Sequence, residues 1–261
     1  MNITVIILES ILIGIVSGFL SSFLGIGGGI AVLPFLTFIL NLPIDIAIGT
    51  TNLIVFMNGL ISSLMHLRLR NFKRDIIPSI TTFGIVGTIL GSIIFQYLRY
   101  VSWILKILVG IYFIYVSSRS MLENLNRRVP IFNIKFNSNN VIPLLGIFSG
   151  FIVGILGMGA GSILVPVLSY GFNIPIKIAI GTSLICFTPM SFISAIIKLI
   201  SGSCNYLIAF YIMPGLVIGA RVGSKLLMKS SVRIVRFMFS IVFLILGVKF
   251  ILDSISTISS L

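Results

Sequence analysis

The chain has 261 residues, of which 57% are hydrophobic and only 9% charged, and a mean hydropathy of +1.21. That is too little polar side chain to cover a soluble globule, so the class is a polytopic all-α membrane protein. The formal net charge of +13 would suggest nucleic acid in a soluble protein. Here most of the Lys and Arg residues fall in a few short loops between apolar runs, the distribution of cytoplasmic loops, so the expected partner is the lipid bilayer and not nucleic acid.

The first apolar region covers residues 3–40, roughly twice what one helix needs to cross about 30 Å of hydrocarbon. It has to break, and the sequence Gly25-Ile26-Gly27-Gly28-Gly29 is where. Residues 1–24 carry no basic leader or small-residue cleavage site and read as a retained first segment. A span at 44–67 follows and ends in His66, Arg68, Arg70, Lys73 and Arg74, which places that loop in the cytoplasm. Spans at 76–98 and 101–116 come next, with the turn around Arg99 facing outward. Residues 119–140, with Arg119, Arg127, Arg128 and Lys135, read as a cytoplasmic linker between a first transmembrane repeat, 1–118, and a second, 141–261. The second repeat has a broken apolar region at 141–172 and spans at 176–199, 205–227 and 233–252. That makes about eight transmembrane helices. No alternation of period two runs through the chain, which excludes a β-barrel.

The repeats are legible residue by residue. Shifting the sequence over itself by 132 positions without a gap matches 19 of the 37 residues from Gly14 to Thr50 against Gly146 to Thr182. The glycine break recurs as Gly157-Met158-Gly159-Ala160-Gly161, each copy followed by a proline, Pro34 or Pro166. Both copies then pass through Pro43 or Pro175 into Ile-Gly-Thr. The loop at 201–205 is bare of charge where its counterpart holds the positive cluster, whereas Lys225, Lys229, Arg233 and Arg236 load the following loop. Opposite bias in corresponding loops favours an inverted repeat, which needs an odd number of crossings in each half. An even number would make the halves parallel.

Glycines four apart (Gly14 and Gly18, Gly87 and Gly91, Gly146 and Gly150, Gly219 and Gly223) are expected to be helix-packing seams. The breaks are different. Four glycines in five residues cost about 1 kcal/mol each in helix propensity, and non-helical backbone within a membrane is tolerated only inside protein or against a water-filled cavity. A structural kink is one reading; an unwound loop whose backbone amides hold an anion is the other. A dinucleotide loop is excluded, since no G-x-G-x-x-G, preceding strand or acidic residue accompanies it.

The candidate substrate-binding residues are therefore Gly25, Gly27, Gly28, Gly29, Gly157, Gly159, Ala160 and Gly161. Next to them stand Thr50, Thr51 and Asn52 in the first repeat and Thr182 and Ser183 in the second, whose hydroxyls either bond the preceding helical turn or contact substrate. Asn52 faces Leu184 in the alignment of repeats and has no equivalent. Arg221 is an intramembrane cation close enough to Lys225 to snorkel, and otherwise an anion ligand. Lys198, the counterpart of His66, is expected to be an interfacial anchor. Glu9, Asp45, Asp75, Glu123 and Asp253 all fall near span ends or in loops, which leaves a proton relay or cation site without its carboxylate. Cys186 and Cys204 form neither a CxxC pair nor a metal site, and no cofactor or metal is expected.

The glycine break followed by proline in each of two repeats, the Ile-Gly-Thr step after it and Gly219-Ala-Arg-Val-Gly223 together resemble the TauE/SafE family of sulfite and organosulfonate exporters, over residues 11–251. The resemblance implies seven or eight spans in a bacterial inner membrane and transport of small sulfur-containing anions such as sulfite or sulfoacetate. Ala160 in place of a glycine departs from the first repeat while still allowing close backbone approach. The expectation is a secondary transporter, an exporter of a small anion, working by alternating access around the paired breaks. A membrane scaffold without transport activity, and an intramembrane serine enzyme pairing Ser183 with His66, are the competing classes. The latter is disfavoured because the only His lies at the end of a span and no nucleophile motif accompanies Ser183.

Overall fold

The computed structural model describes residues 3–24, 29–124, 138–227 and 232–259. Within them the chain is helical and without strands: α1 (Ile3–Leu24), α2 (Gly29–Phe38), α3 (Ile44–Arg68), α4 (Ile77–Leu98), α5 (Ser102–Asn124), α6 (Ser138–Leu156), α7 (Gly161–Pro166), α8 (Ile176–Ile200), α9 (Tyr206–Leu227) and α10 (Val232–Ser259). Eight of these helices have 19 to 28 residues. The other two are short, α2 with 10 residues and α7 with 6, the latter continued by a π-helical turn over Val167–Gly171. Five stretches, Ile44–Arg68, Arg74–Leu98, Ser102–Leu122, Ile176–Ile200 and Ser240–Thr257, are by length and composition alone sufficient to cross a bilayer. The eight long helices lie within the expected apolar regions, and the two short ones follow the glycine breaks.

The repeats build the same turns from the same chemistry. Asn41 and Asn173 both adopt left-handed φ, 50° and 51°, a conformation that Asn tolerates better than most residues. Each ends a short helix, with Leu42 N–H donating to the Leu36 carbonyl at 3.0 Å and Ile174 N–H to the Leu168 carbonyl at 3.1 Å. Pro43 and Pro175 then cap α3 and α8, where a missing N–H costs nothing. The far ends of α3 and α8 also match. Asn71 N–H donates back to the His66 carbonyl at 3.1 Å and Ser203 N–H to the Lys198 carbonyl at 2.9 Å, the closing bond of a left-handed helix C-terminus. Pro189 lies within α8 without ending it.

Packing interlocks the halves. The most extensive helix contacts pair α1 with α9, α4 with α6, α5 with α10 and α3 with α8, so each joins one repeat to the other. Glycines permit the closest of them: a Cβ on Gly14 or Gly18 would overlap the α9 backbone at Ile212 and Leu216, and one on Gly87 or Gly150 would overlap the α6 or α4 backbone in turn. These are the expected packing seams.

Helix direction decides the parity that the sequence left open. Asn52 bonds Ser194 and Gly59 lies against Thr188, so α3 and α8 run antiparallel. Ser117 reaches the Ser240 carbonyl and Ser254 the Trp103 carbonyl, so α5 and α10 do as well. A two-fold that carries a helix onto an antiparallel mate lies across the helices, hence in the plane of a membrane they cross, and the repeats are inverted; the odd number of crossings this requires means that α1 with α2, and α6 with α7, count as hairpins, with three helices after each. One end of the bundle gathers the loop after α3, with Arg70 and Lys73, against the start of α8. The other gathers Arg99 and the loop at 201–205, where Arg99 Nη1 donates to the Ser201 carbonyl at 2.6 Å.

Candidate functional site

The second break shows why its residues are glycines. Gly157 closes α6 through its N–H to the Val153 carbonyl at 3.0 Å and turns the chain with φ +69°, followed by Gly159 at φ +81°. Both values lie in the left-handed region that disfavours side chains. Space is short too, since a Cβ on Gly157 would stand 2.6 Å from the Ile48 carbonyl oxygen. Ala160, at φ −96°, is the N-cap of α7 and takes the N–H groups of Ile163 and Leu164 at 3.0 and 2.8 Å. The N–H groups of Met158, Gly159 and Ala160 have no acceptor among the described residues.

In the first break Gly25, Gly27 and Gly28 lie outside the described residues. Gly29, its last residue, begins α2 and is buried; a Cβ there would come 3.1 Å from the Met158 carbonyl oxygen and overlap Val55 Cγ2. The end of the first break thus abuts the second, near the midpoint of α3. Gly161 is buried at the start of α7.

Beside the breaks, the Gly-Thr steps of the two repeats are clamped reciprocally. Asn205 N–H donates to Thr50 Oγ1 at 2.9 Å, and Lys73 N–H donates to Thr182 Oγ1, also at 2.9 Å. Residues 50 and 182, and 73 and 205, are equivalent by the 132-residue offset, so each repeat holds down the loop of the other. Thr182 also bonds the Ile178 carbonyl at 2.7 Å and Ser183 the Ile180 carbonyl at 2.8 Å; the latter hydroxyl is engaged locally and forms no pair with His66. Thr50 and Thr182 thus each fasten a loop of the other repeat. Thr51 and Asn52 differ: both are fully buried, and Thr51 Oγ1 and Asn52 Oδ1 have no partner among the described residues. Asn52 Nδ2 bonds Ser194 Oγ, which also accepts Ser92 Oγ–H at 3.2 Å. Asn52 itself lies against Gly157.

The cations are not where sequence reasoning put them. Arg221 is exposed on α9. Lys198, expected to be an interfacial anchor, is 0% exposed. It points inward because α8 packs that face on α4, leaving Nζ 4.6 Å from the centroid of the Phe95 ring. Arg119, expected in the linker, lies on α5 and donates through Nη1 to the Ser162 carbonyl oxygen. The signal for it was in the sequence: Pro166 has no N–H to offer the carbonyl four residues earlier, so Ser162 must accept from elsewhere. Tyr112, also missed, places its hydroxyl on Ser162 Oγ behind the same break. A cavity of about 390 Å³ between α5 and α6 opens beyond it, walled by Ile111, Phe148, Phe151 and other apolar side chains. Its lining offers almost nothing to an anion. No cluster of His, Cys, Asp or Glu suited to a metal exists among the described residues.

Comparison with known proteins gives one family. The model of "Sulfite exporter TauE/SafE" matches residues 10–250. The chain is 25% identical over 272 residues to the probable membrane transporter protein YunE of Bacillus subtilis, covering 94% of this chain and 97% of that one. It is 27% identical over 269 residues to a probable membrane transporter protein of Methanocaldococcus jannaschii, covering 93% and 94%. A probable membrane transporter protein of Haemophilus influenzae is 28% identical over 248 residues, with 92% of each chain covered. No solved structure matches the chain.

Proposed function

The chain belongs to the sulfite exporter TauE/SafE family of membrane transporters, and on that premise we propose that it carries a small sulfur-containing anion, sulfite or a short organosulfonate, outward across a bacterial inner membrane. The observation that carries this reading is the meeting of Gly29 with Met158 near the midpoint of α3, where the amides of residues 158 to 160 lack acceptors. Backbone N–H groups left without acceptors in low dielectric can bond an oxyanion, and they exact no cost in side-chain ordering. Thr51 and Asn52 extend the set with buried polar atoms that the fold does not use. Thr51 Oγ1 and Asn52 Oδ1 have no carboxylate or other partner among the described residues, and the five acidic residues fall near span ends or in loops of the sequence, which suits an anion and not a cation.

Transport then proceeds by alternating access around a fixed central site, the usual behaviour of inverted repeats. The moving bodies are not the two repeats, because those are interlocked; each body combines helices of both. Gly25, Gly27 and Gly28 take the roles of Gly157, Gly159 and Ala160 by the repeat equivalence.

Proteoliposomes loaded with radiolabelled sulfite, sulfate or methanesulfonate provide the test, read as efflux with and without a pH gradient. Efflux of sulfite or methanesulfonate well above protein-free liposomes, abolished in Gly159→Leu that still purifies as a folded protein, is the expected result. Equal efflux from the variant, or none from the wild type, contradicts the reading.

A further inference from the structure

Lys198 presents a charge that the fold leaves unanswered. Its residue is fully buried, and Nζ has no hydrogen-bond partner among the described residues. Phe95 offers only the face of a ring at 4.6 Å. An ammonium withdrawn from water is unfavourable unless a counter-charge or several acceptors replace its hydration, and no carboxylate among the described residues does so.

The surroundings of Lys198 supply what an anion would need besides charge. One turn earlier on the same face of α8, Ser194 is bonded to Asn52 and Ser92, and a further turn back Ser191 Oγ is buried without a partner. The network has a second consistent arrangement. With the Asn52 amide turned over, Ser194 O–H donates to Oδ1 while Ser92 O–H still donates to Ser194, and Asn52 Nδ2 is left as a free donor. The cluster adjoins the second break on one side, where Gly157 lies against Asn52. On its other side, Ser203 N–H bonds the Lys198 carbonyl in the loop that leads out of the bundle.

We propose that Lys198, Ser194 and Asn52 form an anion-binding station at the junction of α3, α4 and α8, between the second glycine break and the end of the bundle at residues 201–205. The ammonium is the counter-charge of a small oxyanion, and the amide and hydroxyls are its donors. The station deepens the transport reading and rests on it for the route that the anion follows, but binding at Lys198 can be measured without transport. It also assigns the cation of the pathway to α8 and not to Arg221.

The experiment is thermal unfolding of the full chain in detergent, titrated with sodium sulfite and sodium sulfate against sodium chloride of matched ionic strength. Wild type is compared with Lys198→Met, Lys198→Arg and Asn52→Leu, and sulfite efflux is measured in parallel. Wild type is stabilised by sulfite or sulfate beyond chloride. Lys198→Met unfolds at the same or a higher temperature without oxyanion, yet its apparent affinity for oxyanion falls about tenfold or more, the scale of a lost charge-assisted bond. Lys198→Arg keeps the effect. Asn52→Leu, which installs the residue that the other repeat carries at Leu184, folds and binds more weakly. An undiminished oxyanion effect in Lys198→Met, or none in the wild type, overturns the station. Undiminished binding beside intact sulfite efflux removes the station alone; Lys198-dependent binding without any efflux leaves it standing and removes the transport reading.

Discussion

The two repeats share the bonds that hold the turns flanking α3 and α8 and differ in buried polar side chains where those two helices cross. Left-handed Asn41 and Asn173, capping Pro43 and Pro175, and the crossed bonds of Thr50 to Asn205 and Thr182 to Lys73 recur at matched positions. Asn52 has Leu184 as its counterpart, Ser191 has Gly59, and Lys198 has His66. Scaffold positions are constrained twice, because each repeat clamps the other. Polar positions at the crossing of α3 and α8 are free to diverge, so one side of the bundle carries an ammonium and the other an imidazole whose Nδ1 faces Gly181. The bundle is then symmetric in shape and asymmetric in its buried polar chemistry.

The strongest way to break this comparison is at the breaks. Gly157→Ala forces a side chain into φ +69° and against the Ile48 carbonyl; the left-handed strain of about 1–2 kcal/mol and the overpacking of about 1–3 kcal/mol add, and efflux should be lost. Ala160→Gly, at an ordinary φ of −96°, should cost under about 1 kcal/mol. Thermal unfolding in detergent ranks the two, and a reversed order would refute the geometry of the second break.

Matched substitutions sharpen the comparison next. Gly49→Ala would overlap the Ser203 carbonyl and Gly181→Ala the Asn71 carbonyl. Each should lose about 2 kcal/mol, and a difference beyond about 1 kcal/mol would show that the clamps are not equivalent. Thr50→Val and Thr182→Val each remove the acceptor for one loop N–H, so each should lose about 1 kcal/mol, again equally. The smallest effect is chemical. Burial pushes the Cys204 thiol up to about 11, so little thiolate is present at neutral pH, and alkylation of Cys204 should keep rising with pH well past 9. A plateau near pH 9 would contradict the packing of the loop at 201–205.

Much of this fold was legible in the sequence because it is written twice. Glycines that cannot sustain a helix, prolines that begin one and an offset of 132 residues mark the breaks and their following spans. Helix pairing was less legible, since α8 is largely apolar and its polar stripe, Ser191, Ser194 and Lys198, does not say which helix it meets. That is why Lys198 read as an anchor: four carbons of side chain can reach an interface when a helix face is open, and only tertiary contact with α4 closes it. Arg119 looked like a linker residue because its neighbours are polar, although α5 continues as far as Asn124.

The central claim, that the glycine breaks border a path that favours anions, is tested most directly at Met158. With Cys186 and Cys204 replaced by Ser, Met158→Cys in proteoliposomes would be treated with a sulfonatoethyl and with a trimethylammonioethyl methanethiosulfonate, reagents of similar size and opposite charge. Faster modification by the anionic reagent, slowed by methanesulfonate, is the result the account predicts. Modification that is absent, or faster with the cationic reagent, would contradict it.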